Sequence, residues 1–112
     1  MHRGEVWLIN LDPTIGAEIR KSRPAVVLSS DLMGALPLRV IIPLTDWKDR
    51  YASAPWMLKI EPDAHNGLSK TSSADCFQIR SVSETCLVHK LGELPMQTLD
   101  QLVERVTLVL TA

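Results

Sequence analysis

A chain of 112 residues with 12 Lys and Arg against 13 Asp and Glu carries a formal charge of −1. That length holds one hydrophobic core and leaves too little for a separate cofactor domain, so residues 1–112 are expected to form a single domain. The near-neutral balance excludes sequence-independent coating of nucleic acid, which neutralises many phosphates at once, and leaves room for a small local basic site. No basic leader precedes an apolar stretch and no apolar run reaches bilayer-spanning length, so a soluble, cytoplasmic protein with no membrane partner is the expectation.

Residues 3–11 alternate weakly and stop at Asp12-Pro13-Thr14-Ile15-Gly16, a cluster of turn formers, which predicts a strand followed by a loop. The loop runs through Glu18 to Arg23, a second strand takes residues 25–30, and Asp31 opens a short helical turn before Gly34 and Pro37. A third strand covers residues 39–45. Pro43 within it cannot donate to a ladder, which makes this strand either an edge or the site of a bulge.

Trp56, Leu58 and Ile60 alternate with Met57, Lys59 and Glu61, the period of a half-buried strand, and Pro62 with His65-Asn66-Gly67 closes it by a turn. After a polar stretch over 69–75, Phe77, Ile79 and Val82 suggest a strand across 76–82, and residues 87–94 suggest another. Pro95 suits the first position of a helix, with Leu94 as a poor N-cap. Leu99, Leu102, Val103, Val106, Val109 and Leu110 then recur at helical spacing. Five or six short strands and one terminal helix make a mainly β protein, a small and strongly bent sheet or barrel.

Chemistry is expected where Glu18-Ile-Arg-Lys-Ser-Arg23-Pro24 runs into the second strand. Proline disfavours the α region for the residue before it, so Arg23 is held extended with its guanidinium fixed in direction. A planar fork of donors held in this way suits phosphate oxygens. Cys76 and Cys86 are ten apart, and neither they nor His2, His65 and His89 have metal-ligand spacing, so reduced thiols and no metal or other cofactor are expected. Of the tryptophans, Trp7 and Trp56 are expected in the core. Trp47, in the polar Asp46-Trp47-Lys48-Asp49-Arg50 loop, is the candidate exposed platform for a base or for a protein partner.

Arg3-Gly4-Glu5-Val6-Trp7, Leu11-Asp12-Pro13-Thr14, Gly16-x-Glu18, Arg23-Pro24-Ala25-Val26-Val27, Pro43-Leu44-Thr45 and Gln78-Ile79-Arg80-Ser81-Val82 resemble, in order and spacing, the successive blocks of the MazF/PemK growth-inhibiting toxins. The resemblance spans nearly the whole chain. It implies an SH3-like barrel of the CcdB/PemK-like kind with a terminal helix, a homodimer, and sequence-specific, metal-independent cleavage of single-stranded RNA. It also implies inhibition by a cognate antitoxin with an acidic, partly disordered C-terminal segment.

Carried over residue by residue, the resemblance implies catalytic roles for Glu18, Arg23 and Thr45, and RNA contacts for Gln78 and Arg80. Arg20 and Lys21 join the basic mouth that would receive RNA or the antitoxin. Two departures stand out: Phe77 where many members have Asp, and Arg20-Lys21-Ser22 where many have Gly-rich or polar residues. The competing expectation is a non-catalytic barrel that binds protein, as in the related toxins that poison gyrase, because fold alone does not decide activity.

Overall fold

The computed structural model describes residues 1–11 and 22–112. Among these residues the chain forms β1 (Glu5–Ile9), β2 (Arg23–Val27), β3 (Leu38–Asp46), β4 (Met57–Ile60), β5 (Ser72–Asp75), β6 (Arg80–Ser83), β7 (Leu87–Glu93) and α1 (Met96–Thr111). The strands lie in the order β4-β5-β3-β2-β1-β7, with β6 also beside β3, and every pairing is antiparallel. The loop expected over 12–16 and its continuation to Lys21 fall outside the described residues.

β3 organises the sheet. One side pairs with β2 through Val27↔Ile41, Val26↔Ile42 and Ala25↔Pro43. The other side takes β6 from Leu38 to Ile41 and then β5 from Leu44 to Asp46. In between, residues 42–43 of β3 face residues 75–79, so the ladder breaks where Pro43 has no N–H to give. The irregularity expected at Pro43 is therefore present, on an interior strand, and the extra residues belong to its partner.

Opposed residues of an antiparallel pair point to the same side, so the register sorts the side chains into two faces. One face carries the larger core: Val6↔Val26↔Ile42 and Leu44↔Ala74↔Leu58 align across it, and Leu94, Leu99 and Leu102 cover it. The other face carries a smaller cluster of Ile9, Ala25, Val27, Ile41, Val82, Cys86 and Leu87.

Several expectations are corrected. β5 falls in the polar stretch, because Ser72, Ser73 and Ala74 are buried between two strands where small side chains fit, and they give no apolar alternation to read. The strand expected over 76–82 begins only at Arg80. Cys76–Gln78 is a 3-10 turn whose Phe77 N–H is accepted by the Asp75 carboxylate, and Phe77 points outward, 66% exposed. Trp56, expected in the core, is 38% exposed and meets Phe77 edge to face, 6.4 Å between ring centroids.

At the helix, Pro95 rather than Leu94 is the N-cap. Its backbone is extended, no side chain caps the helix, and the Pro95 carbonyl accepts from Thr98 and Leu99. The apolar stripe is also wider than the surface that receives it. Leu99 and Leu102 are buried and Val106 packs at the margin, whereas Val103 and Leu110 are exposed, since α1 packs chiefly on β4 and the Cys76–Gln78 turn.

Candidate active site

The face with the smaller cluster ends in a cleft of about 290 Å³ lined by Arg23, Thr45, Gln78 and Arg80 together with Leu11, Pro43, Tyr51, Met57 and Asp75. Register alone brings most of these together. Arg23 lies opposite Ile9 and Arg80 opposite Ile41, both in the smaller cluster, and Pro43 lies opposite Ala25. Run on by two residues, the β2–β3 register sets Arg23 beside Thr45. Met57 and Asp75 oppose each other across β4 and β5, on the same side as Thr45 and Ser73. Where the ladder opens at Pro43, the Cys76–Gln78 turn swings Gln78 into the gap.

Arg23 opens β2 in the extended conformation that Pro24 requires. Among the described residues, neither its guanidinium nor that of Arg80 has a hydrogen-bonding or ion-pair partner. Arg39 on β3 is the contrast. It donates to the carbonyls of Met1, Gly34, Leu36 and Leu38 at 2.7–3.4 Å and lies 3.6 Å from Glu84, so its donors are taken up in holding the 34–38 turn. Two cations left with open donors in one cleft form a site for an anion.

Asp75 is the carboxylate of the cleft that sequence reasoning missed. Its Oδ1 accepts the Phe77 N–H and its Oδ2 accepts from Gln78 Nε2, both at 3.2 Å. Nothing local marks it, since its place depends on pairing with Met57 across an unrecognised strand. Tyr51 was missed for a similar reason: it sits on a 3-10 turn, Asp49–Ser53, that folds back over the cleft. Trp47 does not line the cleft. It stands behind Tyr51, with 5.9 Å between ring centroids, and carries the Lys59 ammonium 5.1 Å above its own ring.

Glu18, Arg20 and Lys21 lie outside the described residues. His2, His65 and His89 do not line the cleft. Among the described residues no three His, Cys, Asp or Glu side chains gather where they could hold a metal ion. Cys76, the first residue of the turn, is buried, and burial, opposed by Arg105 and reinforced by Asp75, pushes its thiol up to about 11. It is therefore a neutral thiol at pH 7 and a poor nucleophile. Cys76 and Cys86 are both unpaired thiols. The cleft can thus hold an anion at its two cations, beside the Thr45 hydroxyl and the polar groups of Asp75, Gln78 and Tyr51.

Residues 2–110 match a family model described as the PemK-like, MazF-like toxin of type II toxin-antitoxin systems. The chain is 32% identical to endoribonuclease MazF9 of Mycobacterium tuberculosis over 96% of its own length and 94% of that protein. It is 26% identical to endoribonuclease PemK of Escherichia coli, over 99% and 83%. Two solved structures share the fold. The Mycobacterium tuberculosis toxin MazF-mt6 superposes with a TM-score of 0.74 at 20% identity, over 95% of each chain. An endoribonuclease in complex with its cognate antitoxin from a Mycobacterial species gives 0.75 at 18%, over 98% and 94%.

Proposed function

The chain belongs to the PemK-like, MazF-like toxin family, and on that premise we propose that it is an endoribonuclease that cuts single-stranded RNA through attack of a ribose 2′-hydroxyl. The observation that carries the proposal is the pair of open guanidiniums, Arg23 and Arg80, in one cleft with the Thr45 hydroxyl. The non-catalytic alternative is the weaker reading, because relatives aligned over most of this chain are named endoribonucleases.

In the proposed reaction the 2′-oxygen bonds to phosphorus as the bond from phosphorus to the 5′-oxygen breaks, leaving a 2′,3′-cyclic phosphate on one product and a 5′-hydroxyl on the other. Negative charge builds on the non-bridging oxygens during this exchange. In this reading Arg23, with Arg80 of the same cleft, stabilises that charge, and Thr45 donates to one oxygen to keep the centre in line. The departing 5′-oxygen takes its proton from Arg23 or, since a guanidinium is a reluctant acid, from a solvent water. Glu18 is assigned to take the 2′-proton or to orient Arg23. Arg20, Lys21 and Trp47 are assigned to grip flanking nucleotides.

The internal nucleophile is supplied by the substrate, so scission is expected in EDTA. The active unit is proposed to be a homodimer of single-domain chains. An antitoxin segment, acidic and apolar, is proposed to compete with RNA for the basic mouth. The test is whether the purified protein shortens a defined single-stranded RNA in EDTA: cleavage is the expected result, and an intact substrate at micromolar enzyme would refute the proposal.

A further inference from the structure

The Cys76–Gln78 turn holds a polar pair at the mouth of the cleft, and its hydrogen bonds fix which atoms face a ligand. A carboxylate only accepts. The contact of 3.2 Å between Gln78 and Asp75 Oδ2 therefore commits the NH₂ end of the Gln78 carboxamide to Asp75 and turns Gln78 Oε1 away from it. Asp75 is itself locked, because its Oδ1 caps the Phe77 N–H. Both residues line the same cleft as Arg23 and Thr45. The cleft thus offers acceptors at this point: the carboxylate with its remaining lone pairs, and the amide oxygen.

We infer that Asp75 and Gln78 form a base-reading pair that selects, at one position beside the cut, a nucleobase whose Watson–Crick edge leads with donors. The inference rests on the RNA-cleaving reading and deepens it. Guanine offers two adjacent donors, N1–H and the N2 amino group, and ranks first. Adenine and cytosine offer one amino group each. Uracil, with a single N3–H between two carbonyl oxygens, sets acceptor against acceptor and ranks last. Unstacked bases in single-stranded RNA are read on this edge, and a polar site rejects a base that leaves its groups unpaired. Asp75 acts here as a positioning residue for Gln78 as well as a contact.

Asp75→Asn inverts the pair. The oxygen of the introduced carboxamide still caps Phe77, so its NH₂ takes the place of the Asp75 Oδ2. Gln78 must then turn its oxygen toward that NH₂ and its own NH₂ toward the ligand, which makes the site a donor. Two randomised single-stranded libraries read the consequence. One is ordinary RNA scored for cleavage. The other is a 2′-deoxy version scored for binding by selection and sequencing.

The parent is expected to disfavour uracil at one position by at least about tenfold in both libraries, a typical penalty for unpaired polar groups. Asp75→Asn should move preference toward uracil at that same position. Gln78→Leu, which leaves Asp75 in place, should flatten it. Thermal melting of each variant checks the fold independently. A parent with no base preference beside the cut, or an Asp75→Asn protein with the parent's preference, overturns the inference. So does loss of all cleavage by Asp75→Asn with its binding preference unchanged, since Asp75 would then serve the chemistry. A parent that selects bases from the deoxy library yet leaves RNA uncut would refute the endoribonuclease reading while supporting the base-reading pair.

Discussion

Arg23 and Arg39 are both arginines on one sheet face, and their surroundings give them opposite work. Arg39 is enclosed by carbonyls and Glu84, so Arg39→Ala should lower stability by about 1–3 kcal/mol in urea titration with activity per folded molecule retained. Arg23→Lys keeps the charge and loses the planar fork, so the cleavage rate should fall at least about tenfold with an unchanged melting temperature. The rate measurement separates them: full activity in Arg23→Lys would show that the phosphate lies elsewhere.

The place of Arg23 in the cleft was legible because Pro24 fixes it, and that of Thr45 only through the family resemblance. Asp75 was not, since only the register of two strands far apart in sequence brings it into the cleft. Glu5 is a buried carboxylate with a structural role. Burial acts to raise its pKa, but the His2 N–H, the Trp7 indole N–H and Lys90, at 2.9–3.2 Å, outweigh that and hold it down at about 2. A pKa lowered in the folded state gives stability that is full above the unfolded value and is lost as pH falls toward the folded one. The unfolding free energy from urea titration should therefore decline from about pH 5 to pH 2, by on the order of 2–3 kcal/mol from this group, and Glu5→Gln should lose that part of the slope.

Among the elements, strands with a clear apolar period were readable and the one built from small polar residues was not. β4 alternates Leu58 and Ile60 inward and is found where the sequence put it. β5 is held between β3 and β4 by ladder bonds and close packing, with Ser73 fully buried, and neither cause leaves a hydrophobic signature. The Cys76–Gln78 turn deceived for the opposite reason, because Phe77 and Ile79 alternate in sequence while the Asp75 cap bends the backbone out of the strand. In α1 the sequence showed the helix but not how much of it would be covered. Leu102→Ala should cost about 2–5 kcal/mol of folding stability and Val103→Ala no more than about 0.5, read by urea denaturation.

At the scale of the molecule, a chain of net charge −1 gathers two open guanidiniums at one end of one sheet face while α1 covers the other face. Among the described residues no helix is long and apolar enough to cross a membrane. With little net charge to oppose self-association, the proposed dimer should form at micromolar concentration, and sedimentation should give twice the chain mass. A monomer that cleaves at full rate would refute that part. In the proposed reaction the substrate's own 2′-hydroxyl is the nucleophile in the Arg23–Thr45–Arg80 cleft. The most direct test is a defined single-stranded RNA cut in EDTA beside the same RNA with one 2′-deoxyribose on the 5′ side of the scissile phosphate. The first should yield a 2′,3′-cyclic phosphate and the second no cut at that position. Cleavage of the deoxy-substituted strand at the parent rate would contradict the proposed reaction.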